Sequence, residues 1–92
     1  MMKASKDFIL REIAGEYILV PAGAASAKLN GLITLNELGW FIFKTLQQER
    51  SLDALTDAIT AEYDVARAEA REDALAFLQQ LDGIGALEGA IE

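Results

Sequence analysis

The key stretch for the fold of this chain is Gly31-Leu32-Ile33-Thr34-Leu35-Asn36-Glu37-Leu38-Gly39, which runs directly into Trp40-Phe41-Ile42-Phe43. The β-branched side chains of Ile33 and Thr34 favour an extended backbone, so the first half predicts a short apolar strand. Asn36 predicts a helix N-cap, because its side chain can accept a hydrogen bond from the first free amides. A capping box beginning at Thr34 would instead start that helix two residues earlier. Such a strand is either well buried or able to receive a partner.

Two further strands are predicted before this stretch, over residues 8–13 and 16–20. Ala14-Gly15 between them predicts a two-residue hairpin loop, although alanine is poorly suited to the positive φ that such a loop needs. Pro21 predicts the end of the second strand. The strand of the key stretch is then the third, and it should lie within residues 28–35.

Three helices are predicted after the strands. The first covers about residues 36–48, and Ser51 is the predicted N-cap of the second. The third covers about residues 66–82 and has no strong cap unless Asp64 provides one. One apolar stripe of the second helix is formed by Leu52, Leu55, Ile59 and Tyr63.

The chain after the third helix is marked by Gly83 and Gly85, since glycine commonly follows a helix C-terminus. Leu87 is the last predicted core residue, and residues 89–92 are expected to fray. Strands followed by helices predict an α+β fold, with a three-stranded antiparallel sheet and helices packed on one side. This order is compatible with a winged helix-turn-helix topology.

The composition predicts one folded domain over residues 1–92, because 52% of the residues are hydrophobic and 25% are charged. The chain contains neither cysteine nor histidine, which excludes disulfides, thiol and imidazole catalysis, and nearly all structural zinc sites. We therefore expect no enzymatic activity, no metal and no cofactor. No apolar run reaches the ~20 residues of a membrane helix, and the N-terminus lacks a secretion signal, so a cytoplasmic protein is expected.

The net charge of −7 limits the partners that the chain can have. Nucleic-acid binding draws on lysine and arginine, and the third helix carries a net charge of −2 over its length. A DNA-binding regulator is therefore the weaker alternative, and we expect neither nucleic acid nor membrane as a partner. Neutral or basic peptides, or proteins with a positive docking patch, are the expected partners. The charged residues of this helix are Arg67, Arg71, Glu69, Glu72, Asp73 and Asp82.

The third helix is apolar over an arc of about 160°, whereas packing on a sheet usually needs about 100°. One explanation is a helix packed between two others. The other is that the additional flank lines a groove beside the third strand. The residues of the arc are Ala70, Ala74, Phe77, Leu81, Leu78 and Leu75.

Several different short motifs follow one another along nearly the whole chain, and Leu35-Asn36-Glu37-x-Gly39 is the most specific of them. The others are Phe8-Ile9-Leu10-Arg11-Glu12-Ile13, Ile33-Thr34, Phe41-Ile42-Phe43 with Leu46, Ser51-Leu52-Asp53 with Leu55, Tyr63-Asp64-Val65, Asp73, Phe77-Leu78, Leu81 and Leu87. With these residues the chain resembles the pyrroloquinoline quinone synthesis protein D (PqqD-like) family. Members of that family are the peptide-recognition domains of ribosomal peptide modification pathways.

The resemblance implies a winged helix-turn-helix domain that binds the leader segment of a precursor peptide. It also implies that the domain presents the leader to a modifying enzyme, often a radical S-adenosylmethionine protein. The leader would join as an additional strand against the third strand, with its side chains on the third helix. By position, the receptive edge would be formed by Leu32, Ile33, Thr34 and Leu35. The facing wall would be formed by Ala70, Asp73, Ala74 and Phe77.

Some assignments have two interpretations at this point. Leu78 and Leu81 are predicted in the core, and Leu35 could belong to either the core or the edge. Asp73 and Glu69 could pair with a lysine or arginine of the leader, or could form a solvated helix face.

Trp40 and Phe41 could be core residues or a surface that docks on the enzyme, which makes a structural interaction module a further alternative. An exposed strand edge could also pair with a second copy of the chain and form a homodimer.

Overall fold

The computed structural model describes residues 1–27 and 31–92, so part of the region predicted for the third strand, residues 28–30, lies outside the described residues. The elements follow the order β1 (Met2–Ala4), β2 (Phe8–Ile13), β3 (Glu16–Pro21), a 3-10 helix (Gly23–Ala27), β4 (Ile33–Leu35), α1 (Glu37–Thr45), α2 (Leu52–Glu62), α3 (Arg67–Gly83) and β5 (Leu87–Gly89). The predicted α+β arrangement is confirmed, because the antiparallel sheet β2-β3-β4 is followed by three helices.

β2 and β3 form the predicted hairpin, with Ile13 opposite Glu16 at the loop. The loop residues Ala14 and Gly15 have φ values of 52° and 81°, so both are in the left-handed region. This combination is typical of a type I′ turn, whose twist matches that of the flanking strands. Ala14 has a Cβ in this conformation and is therefore locally strained.

The hairpin loop determines which backbone groups of the sheet are left unpaired. A two-residue loop of this type closes on a hydrogen-bonded pair, here Ile13 and Glu16, and bonded pairs alternate with non-bonded pairs along the ladder. Successive residues of β3 therefore bond to β2 and to β4 in turn. It follows that Ile33 and Leu35 bond to β3, whereas the N–H and C=O of Thr34 point away from it.

The junction between β4 and α1 forms as predicted. The Asn36 side chain accepts a hydrogen bond of 2.8 Å from the N–H of Gly39, so Asn36 is the N-cap of α1. The alternative capping box is wrong, because Thr34 lies within β4 opposite Ile18 and its backbone is committed to the strand.

The other two helices begin differently from each other. The Ser51 side chain accepts a hydrogen bond of 3.0 Å from the N–H of Ala54, which confirms Ser51 as the N-cap of α2. α3 follows Ala66, whose side chain cannot cap, and Asp64 does not replace it. The third helix therefore starts without side-chain capping, as its sequence indicates.

The C-terminal residues are ordered, so the predicted fraying of residues 89–92 is wrong. β5 pairs with β1, with Met2 opposite Gly89. The C=O of Glu92 accepts a hydrogen bond of 2.7 Å from the N–H of Leu52, an amide with no partner inside α2. The two chain ends thus stabilise each other, and Met2 is fully buried between them and the helices.

The core lies between the inner face of the sheet and the helices. Leu78, Leu81 and Leu87 are buried there, as predicted. α3 packs against α2 and reaches β5. None of the helices in the two described ranges is long and apolar enough to cross a membrane.

Trp40 and Phe41 of α1 are half-buried, and each contacts another aromatic side chain of the same chain. The Trp40 ring stacks on Tyr17 with centroids 4.9 Å apart, and the Lys44 ammonium lies 4.3 Å above the same indole. Phe41 contacts Tyr63 edge-to-face at 5.4 Å. Trp40 and Phe41 therefore link α1 to the sheet and to the end of α2, respectively.

Candidate functional site

A groove of about 310 Å³ lies between the edge strand β4 and α3. β4 supplies one wall, because its short strand places three consecutive residues along the sheet margin. α3 supplies the other wall through residues spaced three or four apart, which share one helix face. The residues that line the groove are Ile33, Thr34, Leu35, Asn36, Phe77, Gln80, Leu81 and Ile84.

The groove continues along α3 into a second depression of about 330 Å³. Asn36, Phe77 and Gln80 line both parts, so the two form one surface, which we call the β4–α3 groove. Its residues change from apolar near Ile84 to acidic near Asp73. The additional residues of the second part are Leu38, Gly39, Asp73 and Ala76.

The backbone of β4 is open on the side of the groove. In residues 1–27 and 31–92, β4 pairs only with β3. The C-terminal strand β5 pairs with β1 in a separate sheet and does not cover β4. The N–H and C=O of Thr34 are consequently available to an additional strand.

The absence of a side chain at Gly39 leaves room for the Phe77 ring in the wall of the groove. A Cβ atom built at position 39 would lie 3.0 Å from Cε1 and 3.1 Å from Cζ of Phe77. Such distances are below ordinary carbon contact distances of about 3.5–4.0 Å. The glycine of the sequence motif is therefore required for the close approach of α3 to the start of α1.

The sequence of this chain matches one known protein family over most of its length. The family model described as Coenzyme PQQ synthesis protein D (PqqD) matches residues 16–87, which is most of the chain. The chain belongs to the PqqD family. The resemblance predicted from the sequence is thereby confirmed.

Two solved structures are similar to this PqqD-family chain over nearly their whole length. TbiB1 in complex with the TbiA(beta) leader peptide is 27% identical, with a TM-score of 0.77 over 98% of this chain and 99% of TbiB1. Lasso peptide synthetase B1 complexed with the leader peptide is 18% identical, with a TM-score of 0.74 over 96% and 98%. At that identity the second structure supports the fold alone. Comparison with curated proteins gave no significant match.

Most of the predicted site residues of this PqqD-family chain lie at the groove. Ile33 and Phe77 are half-buried in its walls, and Thr34 is exposed at its margin. Leu35 is buried against the core, yet one side of it also lines the groove. Asp73 is exposed at the acidic end. Leu32, 59% exposed, precedes β4 and does not line the groove.

The predicted placement of Ala70 and Ala74 on the facing wall needs correction. Their side chains are 1% and 0% exposed and belong to the hydrophobic core. The reason is the helical period: residues three positions later lie about 60° around the helix. The wide apolar arc of α3 therefore divides into a core stripe containing Ala70 and Ala74, and a groove stripe containing Phe77.

Sequence reasoning missed the second half of the groove stripe. Gln80 and Ile84 line the groove and continue the three- and four-residue spacing that starts at Asp73 and Phe77. Extending that spacing along the helix would have found both. Leu38 gave no such signal because it belongs to α1, whereas Ala76 follows Asp73 by three residues and precedes Gln80 by four, so the same spacing would have found it.

Among the residues that the structure describes, no three acidic side chains are grouped so that they could hold a metal ion. Partial burial, and then the neighbouring Glu37 carboxylate, raise the pKa of Tyr63 above its ordinary value of 10.0. That phenol is therefore neutral at physiological pH.

Proposed function

We propose that this PqqD-family protein binds the leader segment of a ribosomally synthesised precursor peptide and presents it to a modifying enzyme, without catalysing a reaction itself. The observation that carries the proposal is the β4–α3 groove, in which an open strand edge lies beside a largely apolar helix face. The similarity to TbiB1, which was solved with a leader peptide, supports it.

In this mode the leader becomes a fourth strand of the sheet. Its main chain bonds to Thr34, and its alternate side chains lie over Phe77, Leu81 and Ile84. Main-chain bonds supply affinity and the side-chain positions supply selectivity. A segment of about six residues would bury an area near the lower end for specific interfaces, roughly 1,000 Å². Micromolar affinity, about −8 kcal/mol, would allow the leader to be released.

The acidic end of the groove favours a basic residue in the leader. Asp73 is exposed there, so a lysine or arginine could pair with it and contribute about 0.2–1 kcal/mol. Glu69, one turn earlier, is exposed but does not line the groove. We therefore assign the preference for a basic residue to Asp73 alone.

The DNA-binding alternative receives no support from α3. Arg67, one of its two arginines, forms salt bridges with Asp53 and Asp57 of α2. A helix that reads DNA needs its cations free to face phosphates. The positive charge of Arg71, the other arginine of α3, is outweighed by three acidic residues that lie close to it in the sequence of the same helix.

The central experiment titrates the ¹⁵N-labelled protein with the leader peptide encoded beside its gene. We expect amide shifts in β4 and on the groove stripe of α3. Shifts confined to other segments would reject the groove as the binding site.

A pair of proline variants tests the strand addition itself. Thr34→Pro removes the outward N–H, while the bonds of Ile33 and Leu35 to β3 are kept. The loss of one main-chain bond, about 0.5–1.5 kcal/mol, together with the obstructing ring should weaken leader binding about tenfold or more. Glu12→Pro is the matched control, because the N–H of Glu12 points outward from the opposite edge of the sheet. Equal affinities of the two variants would contradict strand addition at β4.

The enzyme that receives the leader is predicted to be a radical S-adenosylmethionine protein, with the complex formed in the cytoplasm. Copurification with a radical enzyme encoded nearby is the expected result. Copurification with an enzyme of another class would overturn this part and leave leader binding intact.

A further inference from the structure

A second groove, of about 510 Å³, lies at the opposite edge of the three-stranded sheet. It is bounded by β1, by the turn that follows it and by the outer margin of β2, and we call it the β1–β2 groove. Leader binding at β4 leaves it unused. The residues that line it are Lys3, Ala4, Ser5, Lys6, Phe8, Ile9, Leu10 and Gln47.

The margin of β2 has the backbone chemistry needed to accept a strand. Ile9, Arg11 and Ile13 bond to β3, so the N–H and C=O groups of Leu10 and Glu12 point outward. Within the described ranges, β2 pairs only with β3. An edge of this kind is a template for another extended backbone. Ile9 is 41% exposed beside it and offers an apolar contact.

The charge of the β1–β2 groove is opposite to that of the chain. The protein carries a net charge of −7, yet the charged side chains that line this groove are Lys3 and Lys6. Glu88 stands opposite Lys3 in the β1–β5 ladder, but its carboxylate accepts a hydrogen bond from the backbone N–H of Lys6 at 3.4 Å. In the described part of the chain, neither lysine ammonium forms a salt bridge.

We propose that the β1–β2 groove is a second strand-binding site, which takes an extended acidic segment of a partner protein. The segment would pair with Leu10 and Glu12 and place carboxylates near Lys3 and Lys6. The acidic surface elsewhere repels such a segment, so binding would be confined to this place. Because β2 and β4 are opposite edges of one sheet, both sites can be filled together. The proposal does not depend on leader binding.

Two other occupants are disfavoured by the same observations. A nucleic acid would be repelled by the overall charge and cannot extend a peptide ladder. A second copy of the chain carries the same net charge of −7, so pairing through β2 would bring two acidic proteins together.

The test uses a synthetic peptide of about ten residues with alternating glutamate and valine, the extended pattern expected of a strand. With ¹⁵N-labelled protein, amide shifts are expected at Leu10, Glu12 and Lys3. The variant carrying Lys3→Gln and Lys6→Gln should bind about 3- to 10-fold more weakly, as expected for two exposed ion pairs. The matched peptide with lysine in place of glutamate should not bind.

Reciprocal variants separate the two edges of the sheet. Glu12→Pro should abolish the shifts caused by the acidic peptide, and Thr34→Pro should leave them unchanged. Shifts confined to β4 and α3, or equal binding of the lysine peptide, would overturn the proposal. The proposal would also be overturned if a single-stranded DNA oligomer produced the same amide shifts. Formation of a dimer in sedimentation runs without peptide would overturn it as well. The charge variant and the lysine peptide decide the matter even if Glu12→Pro does not fold.

Discussion

Replacing Gly39 with alanine should destabilise the protein, against the usual effect of that change in a helix. In an ordinary helical position alanine is favoured over glycine by about 0.5–1 kcal/mol. Here the new Cβ would lie 3.0 Å from the Phe77 ring and 3.2 Å from Oδ1 of Asn36. Overpacking of this kind costs about 1–3 kcal/mol. The expected net loss is about 0.5–2 kcal/mol in the free energy of unfolding.

A second substitution identifies the contact responsible. Leucine at position 77 lacks both ring atoms that the new Cβ would approach. In the Phe77→Leu background, Gly39→Ala should therefore be neutral or stabilising. The double-mutant cycle should show a coupling energy of about 1–3 kcal/mol. Because the displaced ring lines the groove, Gly39→Ala alone should also weaken leader binding.

The assay is urea unfolding followed by far-UV circular dichroism for the four proteins of the cycle. Gly83→Ala serves as the control, since Gly83 is the last residue of α3 and a Cβ there meets nothing within 4 Å. The control should gain about 0.5–1 kcal/mol. If Gly39→Ala gains as much stability as the control, the close approach of Phe77 does not limit packing. If it loses equally in both backgrounds, the Asn36 contact is responsible instead.

Three further predictions concern the turn, the chain ends and alkaline pH. Ala14→Asn should stabilise by about 0.5–1 kcal/mol with an unchanged m-value, because asparagine tolerates the left-handed φ of this turn; no gain would contradict turn strain. Gly89→Ala should lower the free energy of unfolding, and the amide protection of β1 and β5, more than Gly85→Ala does. The reason is that a Cβ at position 89 would overlap the Met1 carbonyl oxygen, whereas a Cβ at position 85 meets nothing within 4 Å. Equal losses in the two variants would argue against tight pairing of the chain ends. The raised pKa of Tyr63 contributes stability that is fully present below pH 10.0 and lost as pH rises through the folded pKa. Tyr63→Phe should reduce that alkaline loss in pH-dependent unfolding, and an unchanged slope would contradict the assignment.

The sequence was most informative where the deciding interactions are local. The Asn36 and Ser51 caps, the Ala14-Gly15 loop and the β4–α1 junction each depend on groups within three residues of one another. Such contacts form in any fold that keeps the local backbone, so they can be predicted without knowledge of the rest. The family assignment succeeded for a related reason, because its most specific motif covers this junction.

Periodicity was informative about α3, but only up to a limit. It predicted the width of the apolar arc, and it could not assign the core and groove portions of that arc. Ala70 was therefore placed on the wrong stripe, while Gln80 and Ile84 were missed. Neighbouring stripes differ by only about 60° in direction, and which one meets another element depends on how the helix is rotated against the sheet.

Residues close together in the chain were enough to define the hairpin, the helix starts and the strand that leads into α1. Contacts between distant residues set everything else that matters for binding. The C-terminal strand pairs with β1 rather than covering β4, and Gly39 meets Phe77 across two helices. Those arrangements depend on which long-range pairing buries the most apolar surface while satisfying the backbone, a balance of the whole molecule that no short segment encodes.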